Sequence, residues 1–490
     1  MISFQNTVYG RQVPATHTFE SFDPYTGKPW ALIPSDGKEQ VDVAVGAAKD
    51  AFHSKAWRSL TATARGKLLC RFADIVSENA QCLAELETKD NGKLIAEMGA
   101  QVGYLAEWYR YFGGLADKIE GVVLPIDKAN MFAHTRHEPL GVIAAIAPWN
   151  SPLLLLTRKL APLLAAGNTV VIKPSEHASA STLEFVKLFE KAGFPTGVVN
   201  TVTGMPKKVG APLVSHPDVA KVAFTGGESG GQAVYQAVAG QLKPVTLELG
   251  GKSANIVFDD ADIDNAIRGA VSGIFAATGQ TCIAGSRLLV HNKVYDQVID
   301  GLVDLAKTAR MGNPSDRNTQ VGPVTTLQQR DKVLDYLNIA RAEGAEAVLG
   351  GGVPNAPELG EGWFVEPTIF TGVDNKMRIA QEEVFGPVLS VIPFDEEDEA
   401  FAIANDSPYG LAAGIWTQNI GRALRGSEAM EAGTVWVNTY RTVSYMAPFG
   451  GYKRSGIGRE SGQEAINAYL QTKTVWIDAL GEMANPFVIR

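Results

Sequence analysis

GVIAAIAPWNSPLLLLTRKLAPLLAAGNTVVIKPSE, residues 141–176, decides the fold. It opens with an unbroken apolar run, 141–147, and closes with a shorter one, 170–172, inside the strand-like stretch 169–173. Neither run alternates with polar residues, as expected of strands buried on both faces. Between them, 152–166 carries apolar residues at helical spacing, with Pro152 at a tolerated first-turn position and Gly167 just past the end. Strand, helix and strand in this order make a parallel βαβ unit. The pattern continues with a helix over 179–192, a strand over 221–225 (KVAFT), a helix over 230–239 and a strand over 245–249 (VTLEL). The fold class is α/β, with a Rossmann-like, doubly wound parallel sheet in the first half.

Beyond Gly251 the alternation resumes. Strands are expected over 253–258, 287–291, 388–394, 411–416 and 434–438, and helices over 263–277, 294–309 and 327–341. This reads as a second α/β lobe, joined to the first near 250–251. The first 115 residues look mainly helical after Glu39. Residues 122–137 and 470–476 fit neither lobe and read as a small extra sheet. The expected division is 1–118 with 139–250, then 251–450, with 119–138 and 466–490 as a separate β segment.

Composition narrows the class. The chain has 490 residues, 53 acidic against 44 basic, for a net charge of −9. That balance argues against a nucleic-acid surface. No window approaches the length of a transmembrane helix, and MISFQNTVYGRQ lacks the basic and apolar segments of a signal peptide. The 7 histidines are scattered and none pairs with cysteine at ligand spacing, so no metal is expected. Three cysteines, Cys70, Cys82 and Cys282, cannot build a disulfide framework, which points to a reducing cytoplasm.

Cys70 and Cys82 sit in helical patterns and read as buried, inert thiols. Cys282 differs. It follows Ala276-Ala277-Thr278-Gly279-Gln280-Thr281, a small-residue turn past an apolar helix that can present a sulfur to a pocket. Glu248 ends an apolar strand, where an acid is a salt-bridge partner, a capping group or a base. A dry pocket would raise its pKa toward the range useful to a general base. Gly226-Gly227-Glu228-Ser229-Gly230-Gly231 follows a strand and opens a helix. It reads either as a tight turn or as a phosphate cradle on free backbone N–H groups.

Together these strings resemble the aldehyde dehydrogenase superfamily over nearly the whole chain. LELGGKSANIVFDDAD (247–262) matches its glutamate signature and GQTCIAGSR (279–287) its cysteine signature, at the family's separation of 282 − 248 = 34. APWNSP (147–152), KPSE (173–176), FTGG (224–227), EEVFGP (382–387) and PFGGYKRSGIGRE (448–460) match in order.

The resemblance implies that Cys282 attacks the aldehyde carbonyl. The Asn150 amide and the Cys282 N–H hold the oxyanion, and hydride leaves for the nicotinamide. Glu248 then activates water against the resulting thioester. Lys159 and Glu460 match positions thought to relay its proton. Read without the family, Asn150 is a turn residue. Relatives that pass the acyl group to coenzyme A typically lack the glutamate, so Glu248 favours water as acceptor.

For the cofactor, the resemblance implies NAD held by Ile146, Ala147, Pro148 and Trp149, by Lys173, Ser175 and Glu176, and by Gly204. Phe224, Thr225, Gly226, Gly227 and Gly231 follow, then Leu249 and Gly250, and finally Glu383 and Phe385. Gly227 stands where the family usually has Ser. Glu176 would repel a 2′-phosphate, which favours NAD over NADP.

At the substrate side, Ser151, Ala276 and Val443 stand where simple aliphatic-aldehyde members carry aromatic rings, which predicts a wider tunnel. Arg158 replaces a frequent Trp, as in succinic-semialdehyde and lactaldehyde dehydrogenases, and is either a surface or salt-bridged arginine or a site for an acidic group. Thr281, Ile283, Arg441 and Phe449 complete the expected substrate face. The predicted substrate is a polar or acidic aldehyde, such as a semialdehyde or hydroxyaldehyde, and a bulky one fits too. Family members pair through strands like 122–137 and 470–476, implying a homodimer or homotetramer. The competing readings are a catalytically silent protein on the same fold and an esterase.

Overall fold

The computed structural model describes residues 1–481 and 485–488. The opening stretch folds as expected: the strand Val142–Ile146, the helix Pro152–Ala165 and the strand Thr169–Lys173 are all fully or nearly buried. Val142 pairs with Thr169 and Ile146 with Lys173, in parallel register. The complete sheet runs Val199–Thr201, Thr169–Lys173, Val142–Ile146, Val219–Thr225, Val245–Glu248, Gly456–Ile457. Its first five strands are parallel and the last is antiparallel. Gly456–Ile457 was not anticipated: two residues carry no readable period, and their partner lies two hundred positions upstream. Helices Lys38–His53 and Glu228–Ala239 cover one face through Val45, Ala48, Val234 and Val238. The other face packs on Leu156, Leu160, Phe185 and the aromatic cluster around Phe72 and Tyr109.

A seven-stranded sheet follows, ordered Glu346–Leu349, Thr368–Thr371, Val388–Phe394, Arg287–His291, Ala254–Val257, Ala412–Trp416, Thr434–Val437. All its pairs are parallel except the first. The fold is therefore α/β, built on two mainly parallel sheets. A third, antiparallel sheet joins Val123–Leu124, Met131–Pro139 and Leu470–Asp478. Its strands cover the two stretches that fitted neither lobe. Of the expected segment 466–490, residues 482–484 and 489–490 lie outside the described residues.

The chain before Lys38, where no element was expected, forms two small sheets, of strands two to seven residues long, too short and too polar-faced to stand out. Two expectations need correction. The helix expected over 263–277 stops at Phe275, because Ala277 (φ 53°) and Thr278 (φ 54°) are left-handed and turn the chain toward Cys282. Cys70 and Cys82 are exposed, not buried. In their helices the buried stripes are Leu69, Phe72, Ala73, Val76 and Leu83, Ala84, Glu87, and each cysteine falls just off its stripe. No helix among the described residues is long and apolar enough to cross a membrane.

Candidate active site

A cavity of about 560 Å³ opens beside the strand ends Ile146, Lys173, Thr225 and Glu248. In an open parallel sheet this is where ligands bind, because the strands deliver their following loops there. Every residue expected to hold the cofactor lines it except Gly204 and Gly231. Those two are packing positions. A Cβ on Gly231 would meet Leu249 at 2.5 Å, so glycine lets the helix lie on that side chain. Gly204 has φ 143° and sits against the Asp36 backbone.

The lining fits a dinucleotide. The Glu228–Ala239 helix starts at Gly227 with no side-chain cap, leaving its first N–H groups for an anion. A Cβ at Gly227 would meet nothing within 4 Å, so the missing hydroxyl there is not a steric requirement. Lys173 Nζ lies 3.3 Å from Glu176 Oε2, presenting a paired donor and acceptor. Glu383 accepts the Gly251 N–H at 3.1 Å, and any Cβ on Gly250 would strike that carboxylate. Phe385 takes φ 59° and meets the Trp149 ring edge-on at 5.3 Å. Gln329, which the sequence reading missed, holds that strained turn by donating to Val384 O and Phe385 O, both at 2.9 Å. Also missed were Pro206, Gly210, Val214 and Lys332, all on the wall. Val234 was legible only as an apolar helix position.

Asn150, Glu248 and Cys282 line the same cavity. Asn150 lies in the loop after Val142–Ile146, its amide donating to Gln280 O at 2.9 Å. Glu248 ends its strand, and both carboxylate oxygens are buried without a partner. Burial, with Glu460 adding, raises its pKa well above the ordinary 4.5, while Lys159 and Arg158 pull it back. Cys282 keeps some accessible surface at the wall, yet its surroundings are dense enough that burial pushes the thiol up to about 11. The Arg158 charge opposes that rise, and Glu248 and Glu383 reinforce it. Lys159 forms a buried ion pair with Glu460 and donates to Thr225 Oγ1 at 2.6 Å. The left-handed turn before Cys282 is held by Glu97, which accepts the Ala277 N–H at 2.8 Å, and by Thr278 Oγ1 donating to Gly322 O at 3.1 Å. Such backbone conformations cost roughly 1 kcal/mol or more each and need such support.

None of the eight residues expected at the substrate lines this cavity. Arg158 is 4 % exposed, and its guanidinium lies 4.5 Å over the Phe449 ring. It makes no salt bridge or hydrogen bond among the described residues, and its Nε is a buried orphan. It is neither a surface arginine nor a salt-bridged one. Thr281 Oγ1 is likewise buried without a partner. Phe449 exchanges backbone hydrogen bonds with Glu460, bringing the arginine, the ring and the Lys159 pair together. Arg441, at φ 66°, donates to Ser272 O at 3.1 Å. Ile283 accepts from Tyr440 at 3.1 Å through its carbonyl, and Val443 packs beside it at the edge of the second sheet's core. Ala276 begins the turn toward Cys282. Ser151 accepts a hydrogen bond at 2.7 Å from Lys93, a buried lysine that the sequence reading passed over. No short-range signal could have found it, because the two residues are 58 positions apart.

The profile of the aldehyde dehydrogenase family matches residues 12–475. The (Z)-2-((N-methylformamido)methylene)-5-hydroxybutyrolactone dehydrogenase of Acinetobacter baylyi is 47 % identical, covering 100 % of both chains. The structure of betaine aldehyde dehydrogenase from Staphylococcus aureus in complex with NAD+ superposes with a TM-score of 0.98 at 39 % identity, covering 100 % of this chain and 97 % of that one. The NAD+ complex of aldehyde dehydrogenase from Bacillus cereus gives 0.95 at 42 % identity, covering 97 % and 96 %. The chain belongs to the aldehyde dehydrogenase family and is an NAD-dependent member of it.

Proposed function

We propose that this enzyme oxidises an aldehyde bearing a carboxylate to the corresponding acid, through a thioester on Cys282 that water hydrolyses. The observation that carries the substrate class is Arg158, a buried guanidinium that forms no salt bridge among the described residues. An unpaired charge costs several kcal/mol to bury. A substrate carboxylate, held by the guanidinium's planar fork, would supply the missing counter-ion. The Acinetobacter relative supports the same class by its name: a 5-hydroxybutyrolactone is the ring-closed form of a semialdehyde that carries a carboxylic acid.

In the covalent route, Cys282 gives up its thiol proton to solvent, and the thiolate sulfur adds to the carbonyl carbon as the C=O π bond opens onto the oxygen. The Asn150 amide and the Cys282 N–H stabilise the oxyanion. Bound NAD supplies the acceptor for the hydride. The oxyanion then collapses to a thioester on Cys282. Glu248, whose raised pKa makes its ionised form a stronger base, takes a proton from water as the water attacks, and the C–S bond breaks. Lys159 and Glu460 pass that proton onward. Glu176 favours NAD over NADP, and Glu383 and Phe385 position the nicotinamide end.

The division of labour follows the sheets. Residues 1–118 and 139–250 form the NAD-binding part, 251–450 the catalytic part, and 119–138 with 466–490 the self-association segment. The last is supported by the exposed side chains Phe132, Trp476 and Ile477 on the third sheet, which a second copy would cover. Matched aldehydes test the substrate class: an ω-carboxyaldehyde against its methyl ester, by NADH formation. The carboxylate should win in kcat/KM by about tenfold or more, the scale of one charge-assisted hydrogen bond. Equal values would refute it.

A further inference from the structure

Asn150 can stabilise an oxyanion only if its amide is held to within a fraction of an ångström, so the contacts that fix the loop 147–151 matter. A set of them comes from a distant helix end. The helix Ala80–Asn91 ends at Gly92, whose left-handed backbone (φ 77°) swings the next residue back alongside it. Three side chains around that end then reach the Asn150 loop. Asn91 Nδ2 donates to Trp149 O at 3.4 Å, Lys93 Nζ donates to Ser151 Oγ at 2.7 Å, and Glu87 Oε1 accepts the Leu153 N–H at 3.3 Å. Trp149, Ser151 and Leu153 are alternate residues that bracket Asn150. The lysine and glutamate contacts are fully enclosed: Glu87 is 2 % exposed, Lys93 3 % and Ser151 5 %.

The same end of the helix also touches the nucleophile's segment. Thr325 Oγ1 donates to Asn91 O at 2.7 Å, and Thr325 N–H donates to Gln280 Oε1 at 2.9 Å. Gln280, two residues before Cys282, accepts the Asn150 amide through its own carbonyl at 2.9 Å. Asn91, Thr325, Gln280 and Asn150 therefore close a polar ring across the two sheets. A primary amide has two hydrogens. One is fixed on Gln280, which leaves the other for an oxyanion.

We propose that segment 87–93 positions Asn150 against Cys282, with the Lys93–Ser151 hydrogen bond as its decisive contact. This makes Lys93 a positioning residue that acts through Asn150, and it gives Ser151 a role other than lining the tunnel. Ser151 stands at the N-cap of Pro152–Ala165 and makes no capping hydrogen bond, because its hydroxyl faces Lys93 instead. Lys93 is uncommonly placed for a structural lysine. It is buried with no carboxylate within ion-pair distance among the described residues, although Glu97, Arg441, Glu87 and Cys282 all act on its charge. The proposal rests on the reading of Asn150 as the oxyanion donor.

The test is a double-mutant cycle on the full enzyme, with Lys93→Met, Ser151→Ala and Asn150→Ala, alone and combined. Asn150→Ala should lower kcat about 100-fold, as for other oxyanion donors. Lys93→Met should lower kcat about tenfold or more, with the KM for NAD changed less than about twofold, because misplacing a reacting group taxes the chemical step. In the Asn150→Ala background, Lys93→Met should cost less than about threefold, since no amide remains to be positioned. Ser151→Ala removes one oxygen and carries the same expectation should Lys93→Met fail to fold. Equal losses in both backgrounds would overturn the proposal and leave the oxyanion reading intact. An Asn150→Ala enzyme with normal kcat would overturn the oxyanion reading itself, and this inference with it.

Discussion

Replacing Arg158 by Met should move activity and stability in opposite directions. Arg158 is 4 % exposed, with an orphaned Nε and, among the described residues, only the Phe449 ring in close contact with its guanidinium. In the enzyme alone its close contacts are limited to that cation–π interaction, worth about 1–2 kcal/mol when desolvated, while the Glu248 charge acts on it from beyond salt-bridge distance. Met keeps the length and replaces part of the ring contact through sulfur, worth about 1 kcal/mol. Removing a buried, unpaired charge offsets the remainder and more, so the variant should be more stable by about 1–3 kcal/mol. Unfolding entropy is about 2.1 cal/mol/K per residue, so for 490 residues each kcal/mol raises Tm by only about 1 °C. The denaturant midpoint is therefore the better stability readout. Activity should fall. Breaking a buried carboxylate–guanidinium pair costs about 3–5 kcal/mol, which is about a hundredfold or more in kcat/KM for the carboxylate-bearing aldehyde. The methyl ester should lose much less. NADH formation on the matched pair, with urea unfolding in parallel, measures both. Equal losses on acid and ester, or a destabilised variant, would refute the reading of Arg158 as an uncompensated anion site.

Glu248→Gln should still release a first turnover's NADH in a rapid burst, followed by steady turnover slowed about 100- to 10,000-fold, because only thioester hydrolysis needs the base. A lost burst would place Glu248 in the earlier step instead. Glu176→Ala should raise kcat/KM with NADP relative to NAD by about tenfold or more, by removing the carboxylate that meets a 2′-phosphate; an unchanged ratio counts against that assignment. Alkylation of Cys282 by iodoacetamide, in enzyme without NAD, should climb steadily with pH. Burial disfavours the thiolate and moves its pKa from an ordinary 9.0 up to about 11, so reactivity grows as pH rises toward that value. At pH 7 the thiolate fraction is about one in ten thousand, and each pH unit should bring about a tenfold gain. A plateau near pH 8 would mean that the thiol is already activated.

Much of the site was written locally. The apolar runs 141–147 and 170–172 dictate parallel strands because nothing else buries both faces of an extended chain, and the strand–loop–helix order then delivers Asn150 and Lys173 to the carboxyl ends of those strands. Glu248 and Cys282 were legible through the strings around them. Polar side chains behaved differently, because their partners are distant in sequence. Sequence left Arg158 either exposed, salt-bridged or functional. Only packing decided that its helix is buried on every side and that no carboxylate among the described residues forms a salt bridge with it. The helix before Cys282 looked continuous through residue 277, and Glu97, 180 positions away, stabilises the left-handed turn that ends it. Ser151 read as a vacancy left by an aromatic ring, whereas its hydroxyl is engaged by Lys93. Hydrophobic periodicity is a property of neighbours along the chain, so sequence alone determined the central parallel strands and the loops that carry the chemistry. Hydrogen bonds and charges between elements depend on which surfaces meet, so the tertiary structure alone decided how those loops are held.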